Sequence, residues 1–589
     1  MSKANAKPKQ TNSNQSVTRI TGAALTALLA AAVVGCHSDI PFDPRAEQRG
    51  EREAAREVKP TPLRPLPTTL ESSFLSPRPG EPPRPRPTTA PATGPSLAEK
   101  PRVRMNLQDI IHRAVMNNLD VKVAGYGPGI EASRTIEAEA RFDPTLFANF
   151  NFERRDRTLA FNTATSSNGV DQEKIITYQS GVRQNLESGG QVEVRYESIR
   201  TDVRQENTGF GGGVSPNPFT ENQLILQLTQ PLLQNFGYEV NRARITIGRN
   251  NQRISVLDFR KQLEETTADI ERTYWQLAQA ERDLRIAETL LDATLRTADI
   301  LLRRLGQDVT RVQISQANAS VETRRSALIR AKAQVEQLSN QLKRLMNDPD
   351  MPVTSAIIIL PGDAPIEEPF RFDLSDEIAT AMQNRFELGQ QQLRIDSANI
   401  ASNVARNNEL PTLNLVGQIG YQGLDENFSQ AFKAVSEFNN LNYQVGLQFE
   451  WPIGYRAARA VTRRARYQQM QAIDQYRNLI DTISLDVKNA LLEVDTTWTE
   501  MVARRQARFA QADSLAAIEQ REAGGEALTP TFVNLKLQTQ EQLADAARQE
   551  TEAIANYNIA ISRLEFAKGT LLRYNNVIME EAQSQMVAR

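Results

Sequence analysis

Two histidines, His37 and His112, and one cysteine, Cys36, are all the imidazole and thiol chemistry that this 589-residue chain carries. That inventory leaves no material for a Cys/His zinc site, a Ser-His-Asp triad or a disulfide framework. Carboxylates are plentiful, and a pair of them at suitable spacing can do acid-base work. Here they fall along long helical stretches with no pocket signature, where pairing on the flanks of coiled coils accounts for them. Lys plus Arg 69 against Asp plus Glu 71 excludes a globally basic nucleic-acid binder. No metal, no cofactor and no catalytic residue is expected, so the function must lie in what the elements enclose.

The amino terminus sets the compartment. Residues 1–19 hold Lys3, Lys7, Lys9 and Arg19 and no acidic residue, and residues 20–35 read ITGAALTALLAAAVVG. A basic stretch followed by a short apolar one is a secretory signal, and the apolar part falls short of the roughly 20 residues of a spanning helix. Val33-Val34-Gly35-Cys36 resembles the bacterial lipobox, in which the cysteine becomes the first mature residue and carries lipid. The resemblance implies lipidation at Cys36, anchored by burial of CH₂ groups at about 0.8 kcal/mol each. His37 rather than Asp after the cysteine implies passage to the outer membrane. Residues 41–101 hold 15 of the 29 prolines, so 36–101 is a Pro-rich extended linker rather than a domain.

Beyond residue 102 one order of elements occurs twice, in a first repeat over 102–350 and a second over 373–575. Residues 351–372 read as a linker between them and 576–589 as a tail. Each repeat opens with a capping-type polar residue and a helical period, near Leu107 and near Leu374, running to about 141 and 407. Alternating, proline-flanked strands follow, at about 143–153 and 222–230 in the first repeat and 412–421 and 442–451 in the second. Then come very long helical stretches, about 240–305 with 309–346, and 456–523 with 530–574. In the first hairpin, positions 270, 274, 277, 281, 284, 288, 291, 295, 298, 302 and 305 form a heptad-like seam. Its return arm repeats the pattern from 314 to 345 with Arg324 as the one polar member. At 1.5 Å per residue such helices reach on the order of 100 Å.

Strands of about 9 to 11 residues, greasy on one face and polar or small on the other, suit a transmembrane barrel, which alone leaves no sheet edge in hydrocarbon. Four strands per chain, or six if residues 177–198 add a hairpin around Gly189-Gly190, cannot close even an eight-stranded barrel. Several copies must share one.

The paired openings, the strands before Gln230-Pro231 and Trp451-Pro452, and the turns Arg304-Leu305-Gly306-Gln307-Asp308-Val309 and Ala523-Gly524-Gly525-Glu526-Ala527-Leu528 together resemble the TolC-type outer-membrane efflux proteins. The resemblance spans about 106–574. It implies a mainly α fold with membrane β, a homotrimer with a shared 12-stranded barrel, and a periplasmic α-helical tunnel. It further implies a passive exit duct for efflux or type I secretion, working with a periplasmic adaptor and an inner-membrane pump. Gly306, Gln307, Asp308, Gly524 and Gly525 become the hairpin tips that meet the adaptor. Asp308, Glu519, Glu522 and Glu526 become rings of charge at the periplasmic aperture, and Tyr421, Phe449 and Trp451 an aromatic girdle. The long segment 155–222 and the proline-rich spacer depart from the family pattern. The competing reading is a periplasmic coiled-coil adaptor or scaffold lipoprotein, for which one hairpin in a lipoyl-like domain would be expected instead of two in tandem.

Overall fold

The computed structural model describes residues 101–158, 170–205, 216–307, 309–438 and 440–577. Cys36, with its signal and linker, and Asp308 lie outside the described residues. In chain order the first repeat runs β1 (Arg102–Met105), α1 (Leu107–Asn117), α2 (Leu119–Glu139), β2 (Thr145–Thr158), β3 (Val170–Asn185), β4 (Gln191–Gln205), β5 (Phe219–Pro231), α3 (Tyr238–Asn241), α4 (Ala243–Arg303) and α5 (Arg311–Met346). After β6 (Ile358–Pro361) come α6 (Leu374–Asn384), α7 (Phe386–Asn407), β7 (Thr412–Asp425), α8 (Phe428–Ser436), β8 (Leu441–Glu450), α9 (Arg456–Ala523), α10 (Pro530–Lys568) and α11 (Leu571–Tyr574).

The opening period of each repeat is two helices rather than one. Asn118 breaks the first: its side chain accepts hydrogen bonds from the Asp120 and Val121 N–H groups and starts α2 afresh. Extended backbone at Arg385 breaks the second between α6 and α7. The last long helix also stops early, at Gly569, whose φ of 71° is the left-handed geometry that glycine adopts most cheaply at a helix end.

All six longer strands form one antiparallel meander in the order β2-β3-β4-β5-β7-β8. The optional hairpin is present: β3 and β4 pair from Asp171↔Gln205 down to Asn185↔Gln191, and the chain turns at Gly189, φ 95°. The count of four strands is thereby corrected to six, because Gly189 and Gly190 allow a tight reversal that alternation alone leaves undecided. The segment read as a linker supplies β6, which pairs in parallel with β1.

Four helices stand side by side beneath the sheet, in the order α2, α4, α7, α9. Farther from the sheet the row becomes α5, α4, α10, α9, as the two hairpins fold back on themselves. One core joins α1, α4, α5 and β6 around Tyr274 and Leu277; a second joins α6, α9 and α10 around Ile483 and Tyr557. No described helix is long and apolar enough to cross a membrane.

Candidate functional site

The pairing register assigns every strand residue to one of two faces, since directly paired residues point the same way. One face carries Leu146, Phe150 and Phe152 of β2, Val182 of β3, Val194 of β4, Leu226 and Leu228 of β5, Ile419 of β7, and Tyr443, Val445, Leu447 and Phe449 of β8. These side chains stand in the open, Leu146 at 79% and Tyr443 at 78% exposure. A contiguous apolar sheet face of this size is tolerated only against lipid or another chain.

The opposite face is polar and internally paired. Glu193 of β4 binds Arg183 of β3 at 2.8 Å and its strand neighbour Arg195 at 3.1 Å. Gln179 donates to Glu197 at 2.7 Å, and Gln422 of β7 donates to Glu221 of β5 at 2.6 Å. Gln227, Gln418, Gln444 and Gln448 extend this face to the far edge of the sheet. Such a lining suits water inside a barrel wall.

The three aromatic residues expected as a girdle do not meet. Tyr421 sits at the sheet end remote from the helices and packs edge-on against Phe438, ring centroids 4.7 Å apart. Phe449 and Trp451 stand exposed at the helix end. Tyr421 faces Leu441 and Leu413 faces Phe449, eight residues apart, or roughly 27 Å along the strand, close to the height of an outer-membrane apolar band. Above the remote end, α8 lies on the apolar face, with Phe432 edge-on to Tyr196 at 5.9 Å. Gly423 permits this approach, because a Cβ there would fall 2.2 Å from the Ala431 carbonyl oxygen.

The two hairpin tips lie together at the other end. Gly306 turns the first at φ 84° and Gly525 the second at φ 86°, each with open space where a side chain would stand. Val309, Leu528, Phe532 and Val533 share one apolar cluster, and Gln313 donates to the Leu528 carbonyl across the tips at 2.7 Å. Among the expected aperture carboxylates, Glu526 is clamped by Arg521 at 2.5 Å and Glu522 by the buried Lys536, whereas Glu519 is exposed. Two of these charges are therefore neutralised within their own hairpin. Gln307 is exposed, and its N–H reaches back to the Arg304 carbonyl.

The expected seam holds on the return arm and drifts on the outgoing one. Leu295, Leu302 and Leu305 are exposed, while Ala287, Leu290, Thr294 and Leu301 take the buried places. Straight helices of 3.6 residues per turn lose a 3.5 repeat over several turns, and α4 follows the former. Arg324, the polar member of the return seam, crosses to the second hairpin, where it meets Glu541 at 3.1 Å and the Leu537 carbonyl at 2.8 Å. Burial lowers its pKa and the Glu541 carboxylate opposes the shift.

Sequence reasoning missed a strap around the helices. Residues following β6 are tied down by one buried tyrosine from each hairpin. Tyr274 Oη donates to Asp363 at 2.8 Å and accepts from the Gly362 and Asp363 N–H groups, and Tyr557 Oη donates to the Glu368 carbonyl at 2.7 Å. Buried acids went unnoticed too. Glu264 is pushed up to about 7 by burial, against the Leu571 N–H that steadies its charged form, and burial likewise raises Glu271 beside Ser562 and Asn575. Only their position on an otherwise apolar face could have signalled them.

A sheet with one lipid-compatible face and one aqueous face, joined to helices that reach on the order of 100 Å, has the make-up of a membrane pore wall. The family model described as outer membrane efflux protein matches residues 191–348 and 378–570, more than half of the chain. The chain belongs to that family. The first matched segment begins at β4 and leaves β1, α1, α2, β2 and β3 ahead of it, and the second runs from within α6 to just past α10. Among curated proteins no match is found. Solved structures of similar fold include a membrane protein from Pseudomonas aeruginosa, 18% identical, with a TM-score of 0.57 over 79% of this chain and 93% of that one. The Campylobacter jejuni CmeC outer membrane channel is 15% identical, with a TM-score of 0.55 over 82% and 89%. The Neisseria gonorrhoeae MtrE outer membrane channel, in its open state, is 17% identical, with a TM-score of 0.56 over 79% and 89%.

Proposed function

We propose that this protein is the outer-membrane exit duct of a tripartite efflux or type I secretion system. It acts by holding a passage open and not by catalysis. The observation that carries the reading is the division of one sheet into an exposed apolar face and a face of paired charges and glutamines. In this reading three copies join, their sheets forming a barrel in the outer membrane and their helices a tunnel in the periplasm. The tips at Gly306, Gln307, Asp308, Gly524 and Gly525 dock a periplasmic adaptor that receives substrate from an inner-membrane pump. Cys36 carries the lipid anchor. Tyr421 marks the outer aromatic rim and Phe449 with Trp451 the inner one. Glu519, with Asp308, supplies the aperture charge left over once Glu522 and Glu526 are paired.

The test is conductance of the purified full chain in a planar bilayer. Discrete ion-conducting steps from a detergent-resistant oligomer are expected. A water-soluble single copy that inserts nowhere overturns the reading and favours a periplasmic scaffold.

A further inference from the structure

The six-stranded sheet ends on two free edges. Among the described residues β2 pairs only with β3, and β8 only with β7. Within hydrocarbon an unpaired edge leaves N–H and C=O groups with no partner, which a spanning wall must avoid by closing. Because the strand number is even and the meander antiparallel throughout, β8 of one copy runs antiparallel to β2 of the next. Identical copies can therefore close head to tail.

The width of this sheet answers to the helices below it. At about 4.8 Å between strands and a tilt of about 40°, six strands cover an arc of roughly 38 Å. Four helices abreast, α2, α4, α7 and α9, cover roughly 36 Å at about 9 Å between axes. Four strands at the same tilt would cover only about 25 Å and would have to tilt more steeply to span four helices. Each chain thus presents the same arc to the barrel and to the tunnel, and it does so because the first repeat contributes four strands where the second contributes two.

We propose that three copies close an eighteen-stranded barrel through β2–β8 contacts, giving a duct whose membrane section is as wide as its helical section. The proposal rests on the trimeric duct reading above. The wall then has a backbone diameter of roughly 36 Å, against roughly 24 Å for twelve strands at the same tilt. Barrels of sixteen to eighteen strands keep an aqueous channel. The additional wall is charged on the inside: Arg183, Glu193, Arg195 and Glu197 all lie on β3 and β4, whereas the inward residues of β7 and β8 include Gln418, Gln422, Gln444 and Gln448. The cargo that fits is solvated and limited in girth by the helical tunnel, not by the membrane pore.

Electron cryomicroscopy of the full chain in lipid nanodiscs tests this by counting strands and copies. Three copies with eighteen strands in the ring is the expected image. A membrane trimer with twelve strands, two from each copy lying outside the wall, overturns this proposal and leaves the duct reading standing. A pair of copies with twelve strands overturns this proposal together with the three-copy part of the duct reading. A chain that never enters the nanodisc overturns both. As a second measurement, Asn151→Cys on β2 and Gln444→Cys on β8 are treated in one chain with a short bifunctional thiol reagent, each single variant serving as control because Cys36 is present in all. Cross-linked species of two and three copies are expected; links confined within single copies overturn the β2–β8 contact.

Discussion

The two repeats match in their helices and differ in their strands: each gives a broken opening pair and a long hairpin, but the first gives four strands to the large sheet and the second two. Helices in a row pack against both neighbours, so adding or losing one disturbs every interface. A hairpin added to a meander satisfies its own backbone and leaves flanking pairs in register. If β3 and β4 are wall, they obey the same two-faced rule as β7 and β8. The largest test of that equivalence is Val445→Arg on β8 beside Val194→Arg on β4. Both point outward, and each should cost about 2 to 4 kcal/mol at mid-membrane, seen as loss of heat-resistant oligomer on gels. The neighbouring Gln444→Arg faces water and should leave the oligomer intact. A harmless Val194→Arg beside a damaging Val445→Arg would put the first repeat's hairpin outside the wall.

Turns sharpen the comparison next. Gly189 reverses the extra hairpin at φ 95°, and a Cβ there would lie 2.1 Å from the Asn235 carbonyl oxygen. Gly189→Val should lose at least about 2 kcal/mol from backbone strain and collision together. Gly306 has a similar φ with empty space around it, so Gly306→Ala should lose only about 1 kcal/mol. Thermal melting of both variants in detergent checks the order, and equal losses would mean that strain alone decides. The strap gives a smaller contrast. Tyr274→Phe removes one donated and two accepted hydrogen bonds, Tyr557→Phe a single donated one. Expected costs are about 2 and about 1 kcal/mol.

What could be read in advance follows from which signals are local. The bounds of α9 emerged from the sequence because proline, glycine and a long apolar period punctuate it on both sides. The return seam of α5 was legible for the same reason, down to Arg324. Strand number was not, since alternation over 170–205 is diluted by lumen charges: Glu193, Arg195 and Glu197 sit where the inward face is polar and wet, and Ser180 and Ser198 interrupt the outward one. The strap was hidden because β1 and β6 lie more than 250 residues apart and each has only four residues. At the tips, composition suggested free carboxylates. It gave no sign that Arg521 and Lys536 would come round to pair with Glu526 and Glu522.

The hairpins also divide their buried polar groups unequally, and pH reads that division. The first contributes the acids Glu264 and Glu271, while the second and its end contribute the donors Ser562, Leu571 N–H and Asn575. Glu264 is raised to about 7 by burial, with Arg385 favouring its charge and Glu387 and Glu265 opposing it. Its folded pKa lies above the unfolded value, so its contribution is fully present below about 4.5 and is lost as pH rises through about 7. Between pH 8 and pH 6, acidification should therefore stabilise the junction of the two hairpins by about 1 kcal/mol from this group. Glu264→Gln keeps the shape and the hydrogen bond from Leu571 but cannot ionise. It should raise the melting temperature at about pH 8, leave it nearly unchanged at about pH 6, and flatten the profile between. A variant whose pH profile runs parallel to that of the parent chain would show that Glu264 stays charged in the fold, held by Arg385 across the junction, and that the asymmetry between the hairpins carries no pH response.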